Sequence, residues 1–286
     1  MTGCEVDFPH LGIYIKNLVS GFDIFGFRIA FYGIIISIGM ILGYLTAEWQ
    51  AKRTGQDKDI YLDFALYAVI FSVIGARIYY VIFAWDEFSY NPLRILNLRT
   101  GGLAIYGGVI GGVLTAYVYS RVKKLSFWLL TDTACAGLLV GQIIGRWGNF
   151  FNKEAFGGYT DNLFAMRLPW SEAVLHMSDA SAQKLEGHVV DGFIQVHPTF
   201  FYESVWNLMV LIVILLYTNH KKFDGELFLW YLGGYGLGRL WIEGLRTDQL
   251  LLWGTSIPVS QLLAGLLVAI SVCGTLVGRK RVQKLK

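Results

Sequence analysis

Seven long apolar stretches, separated by polar connections of different lengths, set the pattern of this chain. Each is close to the roughly 20 residues that a helix needs to cross the hydrocarbon core of a bilayer. Hydropathy windows of about 19 residues place helices at 29–47, 60–84, 102–120, 127–145, 199–217, 227–244 and 257–277. The pattern therefore predicts an all-α polytopic membrane protein with seven transmembrane helices.

The basic residues predict the orientation of these helices, because cytoplasmic loops of membrane proteins hold an excess of Lys and Arg. Four basic clusters follow the first, third, fifth and seventh helices: Lys52, Arg53 and Lys58; Arg121, Lys123 and Lys124; Lys221 and Lys222; and Arg279, Lys280, Arg281, Lys284 and Lys286. Alternate connections lie on the same side, so all four clusters share one face. We expect the amino terminus outside and the carboxyl terminus in the cytoplasm.

The longest connection, residues 147–198, lies on the outer side in this topology. It contains two extended-looking segments, 164–168 and 193–197, that could pair as a small hairpin. We therefore predict one membrane domain over residues 1–286, with a small extracytoplasmic head inserted at 147–198.

Composition narrows the class of protein further. Hydrophobic residues make up 55% of the chain and charged residues 16%, with a net charge of only +3. The basic residues flank apolar helices rather than covering one exposed face, so nucleic acid is not an expected partner. The three cysteines are too few and too scattered for a disulfide framework or a zinc site. We expect no metal.

Polar residues within or beside the apolar stretches indicate where function resides, because a charge at the bilayer centre costs roughly 2.5–3.5 kcal/mol and is kept mainly for function. In the predicted topology these residues gather in the outer leaflet. They are Tyr32, Arg77, Tyr106, Arg146, Asn149, Glu154, Glu203, Arg239, Glu243 and Arg246. Most of them occupy three blocks, GRWGNFFNKEAFGG (145–158), HPTFFYES (197–204) and GGYGLGRLWIEGLRTD (233–248).

The third block predicts an anion site. The spacing of Arg239, Glu243 and Arg246 places two arginines and a glutamate on one helix face. Arg239 lies inside an apolar run, so we expect it to bind an anionic ligand while Glu243 holds its guanidinium in place. Bidentate arginine geometry favours a phosphate, and an outer-leaflet phosphate indicates a phospholipid.

A transporter for an anionic solute is the alternative function, because charges inside a helical bundle also mark ion pathways. The sequence contains no internal repeat and no series of charged residues that crosses to the inner face. Both features argue against a transporter. A retinal protein is disfavoured, because the last apolar stretch, 257–277, contains no lysine.

The three blocks resemble the characteristic motifs of the prolipoprotein diacylglyceryl transferase family, and Phe31-Tyr32-Gly33 and GGLAIYGG (101–108) extend the resemblance over nearly all the spans. The resemblance implies transfer of the diacylglyceryl group of phosphatidylglycerol to the lipobox cysteine of preprolipoprotein signal peptides, with release of glycerol phosphate. It implies membrane lipids as surroundings, the bacterial cytoplasmic membrane as location and no cofactor.

The resemblance also implies roles for particular residues. The catalytic set is Arg146, Arg239, His197 and Glu243, together with Tyr106 at the position where some family members have a His. The substrate-binding set is Tyr32, Asn149, Glu154, Gly157 and Arg246.

The base that activates the substrate thiol stays open at this point. Some family members have a catalytically important His where this chain has Tyr106. A phenol of pKa near 10 is a poor base at neutral pH unless nearby arginines depress that pKa. Either Tyr106 takes the proton, or Tyr106 orients lipid while His197 or the arginines activate the thiol.

Overall fold

The computed structural model describes residues 4–98, 101–252, 255 and 257–284. The chain divides into two compact units, Met1–Gly43 with Ala136–Lys286, and Tyr44–Cys135. A single membrane domain over the whole chain stays a prediction.

Helices dominate both units. In the described residues they are α1 (Phe31–Arg53), α2 (Asp59–Phe83), α3 (Ile105–Val122), α4 (Phe127–Asn152), the short α5 (Trp170–Ala173) and α6 (Asp179–Leu185), α7 (Thr199–Tyr217), α8 (Glu226–Glu243) and α9 (Val259–Lys284). Five of these, α1, α2, α4, α7 and α9, are long and apolar enough to cross a membrane. The polytopic, mostly helical class is confirmed. The crossings of α3 and α8 remain predictions, and α8 carries three charged residues, Glu226, Arg239 and Glu243.

Helix α4 is longer than the sequence predicts. The expected end at Gly145 is wrong, because the helix continues to Asn152 and carries Arg146 and Asn149 in its last two turns. Hydropathy falls at these polar residues, but Phe150 on the same stretch is buried in a hydrophobic core. That packing sustains the helix beyond its apolar part.

The described strands are β1 (Cys4–Phe8), β2 (Ile13–Leu18), β3 (Gly21–Ile24), β4 (Phe27–Ala30), β5 (Met166–Pro169) and β6 (Phe193–Val196). Strands β3 and β4 form a hairpin directly before α1, and the other four form an antiparallel sheet in the order β2-β1-β5-β6. The predicted hairpin between 164–168 and 193–197 is confirmed by the pairing of β5 with β6. The amino-terminal strands were not predicted.

The sheet packs on the ends of two long helices. Its buried side chains, including Leu168 and Ile194, share one hydrophobic cluster with Phe150 of α4 and Phe200 of α7. An ion pair joins the central strands, because Arg167 Nη2 of β5 lies 2.7 Å from the buried carboxylate of Asp7 in β1. The sheet therefore holds the carboxyl-terminal end of α4 beside the amino-terminal end of α7.

Glycines let α1 approach α4 closely. A Cβ atom on Gly43 would lie 2.7 Å from the carbonyl oxygen of Gly137, and one on Gly39 would lie 3.4 Å from that of Gly141. Larger residues at these positions of α1 would separate the two helices.

In the unit Tyr44–Cys135, α2 and α3 form a close helical pair. A Cβ atom on Gly75 of α2 would lie 2.5 Å from the carbonyl oxygen of Gly107 in α3. Arg77 secures the connection between these helices. Its buried guanidinium donates hydrogen bonds of 2.7–3.1 Å to five backbone carbonyls, those of Arg94, Ile95, Asn97, Gly101 and Gly102. A guanidinium has five N–H donors. All five donors of Arg77 therefore bind backbone carbonyls of the connection.

Replacing Arg77 with Gln should destabilise this connection. Hydrogen bonds from a charged donor contribute about 1.5–3 kcal/mol each, so we expect a loss of at least about 3 kcal/mol. Thermal unfolding of the purified protein in detergent measures the effect as a lower midpoint. Arg94→Gln is the control, because the Arg94 side chain is exposed while its carbonyl still accepts from residue 77. Equal midpoints for the two variants would contradict the assignment.

Candidate functional site

Three arginines from separate segments converge on the carboxylate of Glu203. Oε2 of Glu203 lies 2.7 Å from Nη2 of Arg146, and Oε1 lies 3.0 Å from Nη1 of Arg239. Nη1 of Arg246 lies 3.7 Å from the same Oε1. Glu203 is thus a contact shared by α4, α7, α8 and the segment after α8.

Two further carboxylates complete this group, which we call the arginine cluster: Arg146, Arg239, Arg246, Glu203, Glu243 and Asp248. Glu243 lies one turn after Arg239 on α8, with Oε2 2.7 Å from Nη2 of that arginine. Asp248 accepts from Nε and Nη2 of Arg246 at 2.9 and 2.6 Å. Three positive and three negative side chains therefore balance formally.

Exposure differs between the two kinds of side chain. The side chains of Glu203 and Glu243 are 5% and 4% exposed, whereas those of Arg146 and Arg239 are 21% and 17% exposed. Buried carboxylates need partners, because an unpaired buried charge costs several kcal/mol. The arginines supply those partners, and part of each arginine side chain stays exposed.

Arg246 lies beyond the end of α8 and stays charged. Burial lowers the pKa of its guanidinium, but the hydrogen bond to Asp248 and the carboxylates of Glu203 and Glu243 raise that pKa more, so the net shift is upward. A permanently charged guanidinium suits a site for a phosphate group.

Side-chain hydrogen bonds align the three helices that carry the cluster. Trp147 of α4 donates to Ser204 Oγ of α7 at 3.3 Å, and Ser204 donates to the carbonyl of Ile143 at 3.0 Å. Trp206 of α7 donates to the carbonyl of Gly234 in α8 at 2.8 Å. These contacts lie next to Arg146 and Glu203 in sequence and restrict where both side chains can reach.

The segment after α4 is held between two other segments by backbone pairing. Gly157 N donates to the His197 carbonyl at 2.9 Å, and Gly158 N donates to the Leu245 carbonyl at 2.9 Å. Gly157 also forms an antiparallel bridge with Arg246. A Cβ atom on Gly157 would lie 2.8 Å from both His197 Cβ and the Leu245 carbonyl oxygen, so only glycine fits without displacement.

Asn149, Glu154 and Tyr32 lie around the end of α4. The Asn149 amide donates to Oε1 of Glu154 at 3.0 Å, and Asn152 donates to the same oxygen at 3.2 Å. The Tyr32 ring lies over Gly148, where an added Cβ would come within 2.6 Å of it. These three predicted substrate-binding residues therefore belong to the same region of the chain as Arg146.

His197 lies two residues before α7 begins. Its Nδ1 lies 3.3 Å from the Tyr202 hydroxyl and 3.5 Å from the Asn162 amide nitrogen. Burial lowers the pKa of the His197 imidazole below its ordinary value. The side chain is therefore neutral at pH 7, and a neutral imidazole can accept a proton.

Comparison with known proteins identifies the family of this chain. A family model described as prolipoprotein diacylglyceryl transferase matches residues 20–277. The chain belongs to this family. Proteins named phosphatidylglycerol–prolipoprotein diacylglyceryl transferase from Clostridioides difficile (strain 630) and Clostridium novyi (strain NT) are 45% and 46% identical to it over 231 residues each. These matches cover 81% of this chain and 84% and 85% of the relatives. The Bacillus cytotoxicus protein of that name is 42% identical, covering 89% of both chains.

Among the residues that the family resemblance implies, Tyr106 lies in the other compact unit, as the second residue of α3. It is half-buried, with its ring centroid 6.3 Å from that of Tyr79. Its catalytic role stays a prediction, as do the roles of the other residues in the two predicted sets.

The sequence did not predict that Glu203 contacts three arginines, or that Asp248 pairs with Arg246. It placed Glu203 in the outer leaflet without assigning it a role. The available signal was a glutamate one turn into an apolar helix, in the same block as His197. Arg77, grouped with the polar residues of the outer leaflet, instead binds backbone carbonyls.

Replacing Gly157 with Ala should disrupt the backbone pairing that places Arg246. The methyl group would overlap His197 and the Leu245 carbonyl, and overpacking costs about 1–3 kcal/mol. We expect a lower thermal unfolding midpoint in detergent. Gly158→Ala is the matched control, since no heavy atom lies within 4 Å of a Cβ built there. A tolerated Gly157→Ala alongside an unchanged Gly158→Ala would refute the packing role.

Proposed function

We propose that this chain transfers the diacylglyceryl group of phosphatidylglycerol to the lipobox cysteine of preprolipoproteins and releases glycerol phosphate. The observation that carries the proposal is the convergence of Arg146, Arg239 and Arg246 on one buried carboxylate. Family membership and the printed names of the relatives support the same reaction. It is the first step of bacterial lipoprotein maturation.

The reaction is a displacement at carbon. The thiolate sulfur attacks the glyceryl carbon that bears the phosphate ester, a C–S bond forms, and the C–O bond breaks. The bonding electrons stay on oxygen, so the departing glycerol phosphate gains one negative charge. The thiol proton passes to a base or, finally, to that phosphate.

Arginines stabilise the departing phosphate in this scheme. A guanidinium about 4 Å from an anion gains around 4 kcal/mol at an effective dielectric near 20. Arg146 and Arg239 provide preorganised positive charge where negative charge develops, and this is the general basis of electrostatic catalysis. Glu243 holds Arg239 in position. Tyr32, Asn149, Glu154 and Arg246 bind the lipid, and Gly157 sets the loop that carries Glu154.

The membrane arrangement is part of the proposal. Seven helices span the bacterial cytoplasmic membrane, with the amino terminus outside, the carboxyl terminus in the cytoplasm and the arginine cluster near the outer leaflet. Residues 147–198 contribute to a small extracytoplasmic head. The four basic clusters support this orientation. Membrane lipids surround the helices, and phosphatidylglycerol enters from the bilayer.

The direct test uses purified protein, labelled phosphatidylglycerol and a lipobox peptide. We expect a thioether product with a Cys acceptor and none when Ser replaces that Cys, because the thiolate is the nucleophile. Absence of labelled peptide with the Cys acceptor would contradict the transferase assignment.

Replacing Arg239 with Gln should abolish most of this transfer. Loss of one preorganised electrostatic donor costs about 10²–10³ in turnover. We expect the same for Arg146→Ala, with membrane insertion and expression retained. Lys221→Ala is the control, because Lys221 lies at the other end of α7 and pairs with Asp224 at 2.9 Å. Wild-type turnover in purified Arg239→Gln would exclude a phosphate-binding role.

Tyr106→Phe separates the alternatives for the base. A neutral imidazole at His197 can accept the thiol proton at pH 7. We therefore expect Tyr106→Phe to keep turnover within about a factor of five. A general base, by contrast, contributes a factor of about 10²–10⁴. His197→Gln is assayed in parallel. A hundredfold loss in Tyr106→Phe would assign the proton to the phenolate instead.

A further inference from the structure

Glu203 contacts all three arginines of the arginine cluster, and its partners are the same N–H groups that a phosphate would need. Its two oxygens lie 2.7 Å from Arg146 and 3.0 Å from Arg239. A carboxylate and a phosphate both accept bidentate or bridging hydrogen bonds from guanidinium groups. The side chain of Glu203 therefore makes the contacts that a bound phosphate would make.

The other two carboxylates of the cluster have different geometry. Asp248 binds Arg246 on the Nε and Nη2 edge, and Glu243 binds Arg239 at Nη2. In the described ranges of the chain, no other carboxylate lies within 4 Å of Arg146. Neutralisation of Arg146 thus depends on Glu203, while the other two arginines keep a carboxylate partner without it.

Phosphate binding changes the charge of this group. The six side chains of the cluster sum to zero formal charge. A phosphodiester therefore adds one negative charge, and the departing monoester adds two. Glu203 is almost fully buried, so in this conformation it shares its arginine partners with any phosphate that binds them. Its repulsion of the doubly charged product is then stronger than its repulsion of the singly charged substrate.

We propose that Glu203 is a positioning residue that acts as an internal anion. It holds Arg146 and Arg239 in place before lipid binds, and it limits how tightly they retain glycerol phosphate after the reaction. This role rests on the proposed function, because it assigns product release to that same site. Glu203 does not touch the reacting carbon and acts through the arginines.

Glu203→Gln tests this role, since the amide keeps the shape of the side chain and removes its charge. We expect the inhibition constant of glycerol phosphate to fall at least tenfold. The KM for phosphatidylglycerol should fall as well, and kcat should fall because product leaves more slowly. Glu203→Asp retains the charge and should restore the inhibition constant to within threefold of the wild type.

Glu226→Gln is the matched control. Glu226 is also a fully buried glutamate paired with an arginine, with Oε1 2.7 Å from Nε of Arg279. It belongs to the first turn of α8, opposite the cluster end of that helix. Its substitution should lower the thermal unfolding midpoint and leave inhibition by glycerol phosphate unchanged.

A binding measurement that needs no turnover accompanies the kinetics. Inorganic phosphate is titrated into each purified full-length variant in detergent while thermal unfolding is followed. Phosphate should raise the midpoint of Glu203→Gln more than that of the wild type or Glu226→Gln. If Glu203→Gln folds only when phosphate is present, the anion has replaced the missing carboxylate, and this supports the proposal.

Three results would overturn it: a wild-type inhibition constant in Glu203→Gln, an equal change in Glu226→Gln, or a Glu203→Gln protein that fails to fold both with and without phosphate. The last result would make Glu203 purely structural. If the wild type transfers no diacylglyceryl group, the proposed function fails, and the phosphate titration still decides whether Glu203 competes with an anion.

Discussion

A buried negative charge must be neutralised by nearby positive charge, and this constraint organises the core of the chain around Glu203. The carboxylate lies one turn into α7, where it is shielded from water on nearly all sides. Its partners come from the end of α4, from α8 and from the segment that follows α8. Breaking a buried ion pair by removing one partner typically costs about 3–5 kcal/mol. The mutual positions of these elements are therefore coupled to a single side chain.

Backbone pairing also restricts the positions of the side chains in the arginine cluster. Gly157, in the segment that follows α4, pairs with both His197 and Arg246. This segment therefore connects the residues before α7 to those after α8. The sheet adds a hydrophobic core at the same place, because Phe150 and Phe200 pack into its buried face. Rigid positioning of this kind is what electrostatic catalysis requires, since donors that must reorganise lose much of their effect.

Local patterns carried most of the sequence prediction. Apolar length gave the long helices, and the four-residue spacing of Arg239 and Glu243 predicted neighbouring side chains on α8, which the structure pairs at 2.7 Å. Two extended-looking segments predicted the pairing of β5 with β6. Such local patterns do not predict contacts between residues that are distant in sequence. The extension of α4 depends on packing of Phe150, and the shared position of Glu203 depends on three segments that are distant in sequence. Arg77 shows the same limit, because charge within an apolar run did not distinguish a ligand site from a backbone contact.

The order of strands in the sheet has a consequence for how the chain matures. Strand β1 lies at residues 4–8 but pairs with β5 at residues 166–169, and its Asp7 carboxylate meets Arg167. Pairing across so large a sequence separation is slow, because the intervening chain must be ordered first. Strands β1 and β2 are therefore synthesised before the four long helices α1–α4 and before their partner strand β5. During that interval β1 has its partner β2 on one side only. An open strand edge of this kind is prone to wrong pairing.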